Sequence, residues 1–371
     1  MDTKQFKIDP QLILYLDSKG IKNYLPIQDK VIPLLLKDKQ VIVEAPTGTG
    51  KTFAFLLPII SNMDFENRNV QTIIAVPTRE LAKQIWNVIQ EIKKFQSNFT
   101  TLLAIGGEDI NRQLLKWSKM PQLIIATPER LARLMQISPI KLTDLKYLII
   151  DEADMMLDFG FMEELERFVG NNVPKNKLIY GLFSATLPLE VQNFIKKRIH
   201  GELKNIQISP EEELTIKLIK ADNGEKEKVL IDLLQADIFN PFFTLIFAKS
   251  NEEVKGVYAF LKNKGLKNLE YFTSDLSQRE RSRVLKSVNN LDTVYLVTTD
   301  LMARGMDFPG VSHIINYSYP TDFSYYRHRI GRTNRNNING AIYDIYEDSD
   351  KDKIAIIKTK NPFLKMKRFK F

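Results

Sequence analysis

Short apolar runs alternate with amphipathic stretches from about residue 40 onward, and this alternation constrains the fold more than any other feature of the sequence. Helical spacing of apolar residues marks the intervening stretches, such as residues 80–95. The runs of the first half that predict buried strands are VIV (41–43), TIIAV (72–76), LLAI (102–105), LIIA (123–126), YLII (147–150) and LIYGLF (178–183). Strand–helix alternation of this kind predicts α/β folding, with a mostly parallel sheet and helices on both of its faces.

The alternation breaks near residues 205–225, where dense charge occurs in SPEEE (209–213) and ADNGEKEK (221–228). Ser250 and Glu253 then predict a capping box at the start of a helix that runs to Lys264. The runs that restart the pattern are TLIFA (244–248), LEYFT (269–273), TVYLVT (293–298), HIIN (313–316) and AIYDIY (341–346). A chain of 371 residues, at roughly 150 residues per domain, therefore predicts two α/β domains, 1–208 and 209–371, joined by a polar linker around 207–216.

Composition excludes several classes of protein. Hydrophobic residues make up 44% of the chain and charged residues 26%, which is typical of a globular protein and excludes disorder as the main state. The absence of cysteine excludes disulfides, thiol catalysis and cysteine-based zinc sites, and three scattered histidines do not favour a histidine metal cage. The longest apolar run, residues 53–60, is shorter than the roughly 18 residues that a membrane helix needs. We expect a cytoplasmic protein with no membrane partner.

Most of the net positive charge lies at the end of the chain. Residues 351–371 carry eight lysines and arginines against one aspartate, so +7 of the total +8 belongs to this basic tail. A basic tail can bind a polyanion with an affinity that falls as salt rises. The alternatives are a solvated tail that aids solubility and a tail that packs back on its domain through Phe363, Leu364, Phe369 and Phe371.

The first chemical motif is APTGTGKT (45–52), which follows the strand VIV. Gly48 and Gly50 allow a tight turn that directs N–H groups at phosphate oxygens, and the next helix adds its positive N-terminal end. Lys51 can reach the β and γ phosphates, and Thr52 can bind Mg²⁺. The motif predicts a nucleotide triphosphate site formed by Ala45, Pro46, Thr47, Gly48, Thr49, Gly50, Lys51 and Thr52. A chance glycine turn is the alternative.

The second motif is acidic and follows the strand YLII, where Asp151, Glu152, Ala153 and Asp154 come in succession. Carboxyl ends of parallel strands are where α/β sheets bind their ligands. Asp151 would hold Mg²⁺ largely through water, and Glu152 would orient or deprotonate the attacking water. A solvated acidic turn is the alternative, which the upstream phosphate loop disfavours.

Asp-Glu-Ala-Asp after a GKT loop resembles the DEAD-box RNA helicases, and further matches follow over nearly the whole chain. These are PTRELA (77–82), Gly106-Gly107, TPER (127–130), SAT (184–186), Phe247 in LIFAKS, Gln278 with Arg281, TTDLMARGMD (298–307) and HRIGRTNR (328–335). So many ordered motifs make a chance match implausible. The resemblance implies two tandem RecA-like domains with an ATP site in the cleft between them, ATP and Mg²⁺ as cofactors, and RNA as the partner.

The resemblance also implies roles for individual residues. Gln28 matches the residue that reads adenine, Phe6 the aromatic that stacks on it, and Asp307 the acid that contacts the ribose. Ser184, Thr186 and His328 would couple the nucleotide state to RNA, and Arg332 and Arg335 match the arginine fingers. Guanidinium groups supplied across a cleft neutralise the transferring γ-phosphoryl group, which favours this role on chemical grounds as well. The residues that would contact RNA are Pro77, Thr78, Arg79, Gly107, Thr127, Arg130, Gln278, Arg281 and Thr299. Residue types such as these contact the sugar-phosphate backbone, so RNA binding is expected to be independent of sequence.

Several positions depart from the family pattern. Tyr24-Leu25 stands in place of Pro-Thr, Thr273-Ser274 in place of His-Gly, and Ser318 in place of aspartate. Asn334 and Asn337 replace two glycines beside the arginine fingers, and asparagine tolerates left-handed backbone better than other non-glycine residues. These departures put the coupling strength in question more than the activity.

The sequence therefore predicts an ATP-dependent RNA helicase, an RNA-dependent ATP hydrolase that separates short duplexes locally and acts as a monomer. Alternatives are an ATP-gated RNA clamp that hydrolyses slowly, a DNA-directed motor and a small-molecule kinase. The last does not explain a second domain with arginine fingers. Partners in ribosome assembly, RNA decay or cold-stress remodelling are all compatible with the sequence.

Overall fold

The computed structural model divides the chain into two compact units, residues 1–209 and 210–371. The structure describes residues 3–46, 48–172, 178–199, 201–208, 214–236, 238–303, 308, 310–320, 323–333, 340–361 and 364–370. Within these ranges no helix is long and apolar enough to cross a membrane.

The first unit contains a parallel sheet, in which seven strands fall within the described residues. The strands are β1 (Gln40–Glu44), β2 (Thr72–Ala75), β3 (Thr101–Ala104), β4 (Leu123–Ala126), β5 (Tyr147–Ile150), β6 (Ile179–Ser184) and β7 (Leu203–Gln207). The helices are α1 (Pro10–Ser18), α2 (Pro26–Leu36), α3 (Lys51–Ser61), α4 (Arg79–Ile92), α5 (Ile110–Trp117), α6 (Pro128–Ile137), α7 (Ala153–Asp158), α8 (Phe161–Asn172) and α9 (Leu189–Arg198). The strands lie in the order β3-β4-β2-β5-β6-β1-β7.

Alternate residues of these strands pack into two separate hydrophobic layers. Ile74 and Ile149 belong to one layer, and their neighbours Ile73 and Leu148 to the other. A strand that is buried on both faces needs an unbroken apolar run, which is the pattern of the sequence. The predicted α/β class with helices on both faces is confirmed.

The second unit has a parallel sheet of the same topology. Its described strands are β8 (Leu214–Lys220), β9 (Thr244–Ala248), β10 (Leu269–Phe272), β11 (Tyr295–Thr299), β12 (His313–Asn316), β13 (Ala341–Tyr346) and β14 (Leu364–Arg368). Its described helices are α10 (Lys226–Gln235), α11 (Asn251–Asn263), α12 (Gln278–Asn289), α13 (Asp300–Ala303), α14 (Phe323–Ile330) and α15 (Lys351–Lys360). The order β10-β11-β9-β12-β13-β8-β14 repeats the order of the first sheet, although the two halves show no clear sequence repeat.

Three local expectations differ from the structure. Ser250 caps α11 by accepting the N–H of Glu253, but the Glu253 carboxylate accepts the N–H of Lys249 and the hydroxyl of Ser318, so the prediction of a full capping box is wrong. The basic tail is not a solvated segment, because it forms α15 and then β14, which pairs with β8. Strand β8 also begins inside the predicted linker.

Candidate functional site

The carboxyl ends of the strands in the first sheet lie in register along one edge. Ala75 of β2 is paired with Ala126 of β4 and with Ile150 of β5, and Glu44 of β1 is paired with Ser184 of β6. The phosphate loop, the acidic motif and the SAT segment therefore leave three adjacent strands. The motifs that the resemblance assigns to RNA leave β3, β4 and β2, so the edge is divided into two neighbouring halves.

The phosphate loop connects β1 to the N-terminus of α3. Thr49 donates its hydroxyl hydrogen bond to the carbonyl of Pro46 at 2.8 Å, which tightens the turn. Gly50 has φ of +92°, and a Cβ atom at this position would lie 2.6 Å from Nε2 of Gln28. Only glycine therefore fits between the loop and α2.

Lys51, the first residue of α3, forms a buried ion pair with Glu152. Nζ lies 2.9 Å from Oε1, and both side chains are 6% exposed. Burial lowers the pKa of Lys51, but the surrounding carboxylates of Glu152, Asp151 and Asp154 outweigh burial and raise its pKa above the usual range. The ammonium group thus remains charged where the sequence places the phosphates.

Asp151 is buried beside this pair, and its Oδ1 accepts the N–H of Glu152 at 3.0 Å. Burial is the main cause that raises the pKa of Asp151 to about 7; Lys51 opposes the shift, and Glu152 adds to it. A second cation would favour the ionised carboxylate. The oxygen donors of Asp151 and Thr52 are the ligand type that Mg²⁺ prefers, so these residues fit the predicted metal.

Asp154 joins the acidic motif to the SAT segment, and this role is absent from the sequence-based assignment. Its backbone N–H donates to Oγ of Ser184 at 3.1 Å. Its Oδ2 accepts both the N–H and the hydroxyl of Thr186, at 3.1 and 2.9 Å. Asp154 is visible in the sequence as the last residue of the Asp-Glu-Ala-Asp motif. Only the fold, however, brings it to Ser184 and Thr186, which lie 30 and 32 positions further along the chain.

Gln28 connects the predicted adenine-binding segment to the phosphate loop. Its Oε1 accepts the N–H of Leu25 at 2.9 Å, and its Nε2 donates to the carbonyl of Gly50 at 3.2 Å. An amide offers two donor hydrogens and two acceptor sites, so one of each can still serve a nucleobase.

Phe6 stacks on Tyr24, with ring centroids 5.4 Å apart, and the Tyr24 hydroxyl donates to the carbonyl of Thr3. Tyr24 is thus a second residue whose role sequence analysis missed, because its ring packs against Phe6, the aromatic expected to stack on adenine. A surface pocket of about 610 Å³ adjoins this aromatic and is lined by Gln5, Phe6, Pro26, Asp29 and Lys30.

The residues assigned to RNA in the first unit cluster at the other half of the edge. Thr78 caps α4 through the N–H of Leu81, and the Arg79 guanidinium lies against Gly106 and Gly107. Gly107 has φ of +80°, and a Cβ there would meet the Arg79 guanidinium at 2.7 Å.

Pro77 and Thr127 follow β2 and β4, and Thr127 precedes the first residue of α6. Arg130 donates to the carbonyl of Glu108 at 3.0 Å. The guanidinium groups of Arg79 and Arg130 thus contact loops of the first unit. Both groups keep further N–H donors that can bind a phosphate backbone.

The counterparts in the second unit also lie at neighbouring strand ends. Gln278 begins α12, Arg281 follows one turn later and donates to the carbonyl of Leu276 at 3.1 Å, and Thr299 ends β11. Strands β10 and β11 are neighbours in the sheet. The structure therefore brings these three residues to one end of the second unit.

Helix α14 carries His328 and leads to Arg332, whose Nε donates to the His328 carbonyl at 3.3 Å. Arg329 on the same helix is buried and binds Asp300 through Nε and Nη2, at 2.5 and 2.7 Å. Its guanidinium also lies 5.0 Å from the ring centroid of Phe247. Arg329 therefore has a structural role within the HRIGRTNR motif, because it binds α14 to Asp300 and Phe247. The predicted residues Thr47, Asp307 and Arg335, and the substituted Asn334 and Asn337, lie outside the described residues.

Phosphate-loop geometry, a buried acidic cluster and two matching parallel sheets define a nucleotide triphosphate-binding α/β protein. The chain matches the DEAD/DEAH box helicase family over residues 25–194 and the helicase conserved C-terminal domain over residues 225–337. It is 35% identical over 356 residues to the DEAD-box ATP-dependent RNA helicase CshB of Bacillus subtilis (strain 168), a match that covers 94% of this chain and 80% of the relative. The chain belongs to the DEAD-box ATP-dependent RNA helicase family.

Solved structures give the same assignment. Dbp5 of S. cerevisiae bound to RNA and ADP BeF3 has a TM-score of 0.86 and 27% identity, covering 99% of this chain and 95% of that chain. DEAD-box helicase Mss116 bound to ssRNA and UDP-BeF has a TM-score of 0.88 and 26% identity, covering 100% of this chain and 79% of that chain. The expected tandem RecA-like fold is confirmed.

Proposed function

We propose that the protein is an ATP-dependent RNA helicase whose RNA-stimulated ATP hydrolysis drives local separation of short duplexes. The observation that carries this proposal is the divided edge of the first sheet. One half carries the buried Lys51, Asp151 and Glu152, and the other carries Arg79 and Thr127. Relatives with this fold are named ATP-dependent RNA helicases, and two of the similar structures contain RNA with a nucleotide analogue.

On the nucleotide side, Lys51 would exchange its bond to Glu152 for the β and γ phosphates. The N–H groups of the phosphate loop and the N-terminus of α3 would hold the same anion. Release from Lys51 would leave Glu152 able to orient or deprotonate water. Phe6 and Gln28 would hold the base, while Thr47 and Asp307 would complete the site as the family pattern implies.

Mg²⁺, bound by Thr52 and by Asp151 largely through water, would neutralise charge on the phosphates. Burial raises the pKa of Asp151, and a bound cation would lower it again and favour the ionised carboxylate. The same proposal includes the domain assignment, in which residues 1–208 bind ATP and residues 209–371 supply the arginine fingers.

On the RNA side, backbone recognition is supported by the groups at hand, which are hydroxyls, guanidinium groups and amides rather than a base-reading surface. Asp154 would transmit the state of the nucleotide, because Thr186 and Ser184 both bond to it. Arg332 and Arg335 would supply positive charge to the γ-phosphate when ATP and RNA bind together. We further propose that the enzyme acts as a cytoplasmic monomer.

A strand-displacement assay tests the proposal. A short RNA duplex with a single-stranded overhang should be separated with ATP, and a DNA duplex of the same sequence should not. The Lys51→Ala protein should lose displacement, with Lys37→Ala, an exposed lysine, as its matched control. ATP-dependent RNA binding without displacement would instead indicate a clamp, and equal displacement of DNA would indicate a DNA-directed motor.

A further inference from the structure

A buried polar network lies beneath helix α14 in the second unit, and Asp344 is at its centre. This carboxylate sits in the middle of β13 and is fully buried. It accepts hydrogen bonds from Nδ2 of Asn316 at 2.6 Å and from the hydroxyls of Tyr319 and Tyr326, each at 2.8 Å. Three neighbours donate to it, which is the arrangement that an ionised carboxylate requires.

Asn316 extends the network to Arg329. Its Oδ1 accepts Nη1 of Arg329 at 3.0 Å, and the same guanidinium binds Asp300 with its other nitrogens. Since arginine can only donate and a carboxylate can only accept, the orientation of the Asn316 amide is fixed by its two partners. The chain of bonds therefore runs from Asp344 through Asn316 to Arg329 and Asp300.

Two of these bonds hold α14 itself. Tyr326 and Arg329 lie three positions apart on one face of the helix, and both point into the network. Arg332 follows the last turn and is held by the carbonyl of His328 on that helix. A change in how α14 sits on the sheet would therefore displace Arg332 as well.

We propose that Asp344 is a positioning residue for Arg332, because it orients Asn316 and Tyr326 and through them fixes α14. This inference rests on the proposed function, in which Arg332 stabilises the transferring phosphoryl group. Burial of the Asp344 carboxyl group raises its pKa, and the three donated hydrogen bonds together with Arg329 oppose the shift. A buried network of this kind rigidifies a structure when every member is satisfied.

The pairing of Asn316 with Asp344 provides a sharp test, because the two residues are strand partners in the parallel pair β12–β13. In Asp344→Asn, the new amide must turn its Nδ2 either to Nδ2 of Asn316 or to the hydroxyls of Tyr319 and Tyr326, which then lose the acceptor for their own protons. If Asn316 flips instead, its Nδ2 opposes Arg329. In Asn316→Asp, two buried carboxylates face each other.

Exchanging the two residues, in the double variant Asn316→Asp with Asp344→Asn, restores every bond. The amide now on β13 would donate to the carboxylate now on β12, and that carboxylate would accept Nη1 of Arg329. Both tyrosine hydroxyls would donate to the oxygen of the β13 amide, which has two acceptor sites.

The experiment measures RNA-stimulated ATP hydrolysis by the wild-type protein, the two single variants and the exchanged double variant, with melting temperatures recorded in parallel. Each single variant should lower kcat by about tenfold, since small misplacements of a catalytic group are costly, and should leave KM for ATP within about twofold. The double variant should recover kcat to within about threefold of wild type. Tyr343→Phe is the matched control, since Tyr343 is the neighbour on β13 and belongs to the opposite hydrophobic layer.

If a single variant does not fold, Tyr326→Phe replaces it, because this change removes one hydrogen bond and keeps the ring. It should lower kcat by about threefold. Single variants with wild-type kcat, or a folded double variant no better than the singles, would overturn the positioning role. A wild-type protein without RNA stimulation would overturn the proposed function and this inference together, so the two failures are distinguishable.

Discussion

Lys51 and Glu152 neutralise each other, with Nζ and Oε1 2.9 Å apart although the two residues are 101 positions apart in the chain. The group expected to bind phosphate is thus held by the group expected to position water. In the proposed function, binding of ATP would separate the pair and so place both groups in their proposed roles at once.

Glu152→Gln tests this relationship. The amide cannot accept a proton from water, so hydrolysis should fall about 100-fold or more. Because the neutral side chain holds Lys51 less strongly, ATP affinity should stay equal or increase. Equilibrium binding of labelled ATP and steady-state hydrolysis measure the two effects, with Glu163→Gln on the exposed face of α8 as the control. Loss of ATP binding in Glu152→Gln would contradict the exchange.

Asp151 should make stability depend on pH. Its pKa is about 7 in the folded protein, against 3.8 ordinarily, so the folded state binds a proton that the unfolded chain has released between these values. Stability should therefore fall as pH rises from 4 to 7, and the full cost should be present above pH 7. Asp151→Asn does not titrate, and should be more stable than wild type at pH 8.

Urea unfolding without Mg²⁺ or nucleotide measures this difference at several pH values. The advantage of Asp151→Asn should shrink toward zero as the pH falls below 3.8, the ordinary pKa, because both states of the wild-type protein then become protonated at this position. Other titrating groups are common to both proteins and cancel. A difference that is constant from pH 4 to pH 8 would contradict a raised pKa at Asp151.

Thr186→Val tests the connection from Asp154 to the SAT segment. The change removes one of the two donors to Asp154 Oδ2 and preserves the shape of the side chain. ATP hydrolysis should fall less than about threefold, whereas duplex separation should fall more than about tenfold. The reason is that the bond is proposed to couple hydrolysis to duplex separation and takes no part in the hydrolysis step itself. Thr359→Val in α15, whose hydroxyl bonds its own helix, is the control. Parallel losses of both activities would show that Thr186 does not couple them.

Folding of the basic tail changes how its contact with RNA must be tested. Strand β14 pairs with β8 from Leu364 to Arg368, and Leu364 is buried. Deletion of residues 358–371 would expose β8 and destabilise the unit, so a loss of RNA binding would have two causes. Charge neutralisation on the exposed side of β14 separates them.

Changing Lys365, Lys367 and Lys370 to Gln should leave the melting temperature nearly unchanged, since these side chains lie at the surface. If they contact RNA, the slope of log affinity against log salt should flatten by about 2, at roughly 0.7 per phosphate contact on a single strand. The control neutralises three exposed lysines of the first unit, Lys37, Lys119 and Lys141. An equal slope for both triple variants would show that the tail does not bind RNA.

Sequence reasoning predicted the central strands and missed those at one side of each sheet, for a physical reason. Central strands are buried on both faces, so β5 and β9 are continuous apolar runs. Strands β7 and β14 each form one edge of their sheet, and β8 lies beside β14. These strands mix lysine with apolar residues, as in LKMKR, and the mixture is also typical of a linker or a tail.

The same limit holds for the site. Types and spacing of residues predicted that Lys51 and Asp151 act on a nucleotide, because the chemistry of a phosphate loop is local. Pairing is not local: the bonds of Asp154 to Thr186 and of Tyr24 to Thr3 depend on which elements the fold brings together. Sequence spacing carries no record of such contacts.

The most direct test of the proposed helicase function is steady-state ATP hydrolysis with and without single-stranded RNA, with single-stranded DNA of the same sequence and the Glu152→Gln protein as controls. An RNA-dependent ATP hydrolase should be strongly stimulated by RNA and little by DNA, and the variant should show no stimulation. Hydrolysis that is equally fast without RNA, or that survives in Glu152→Gln, would contradict it.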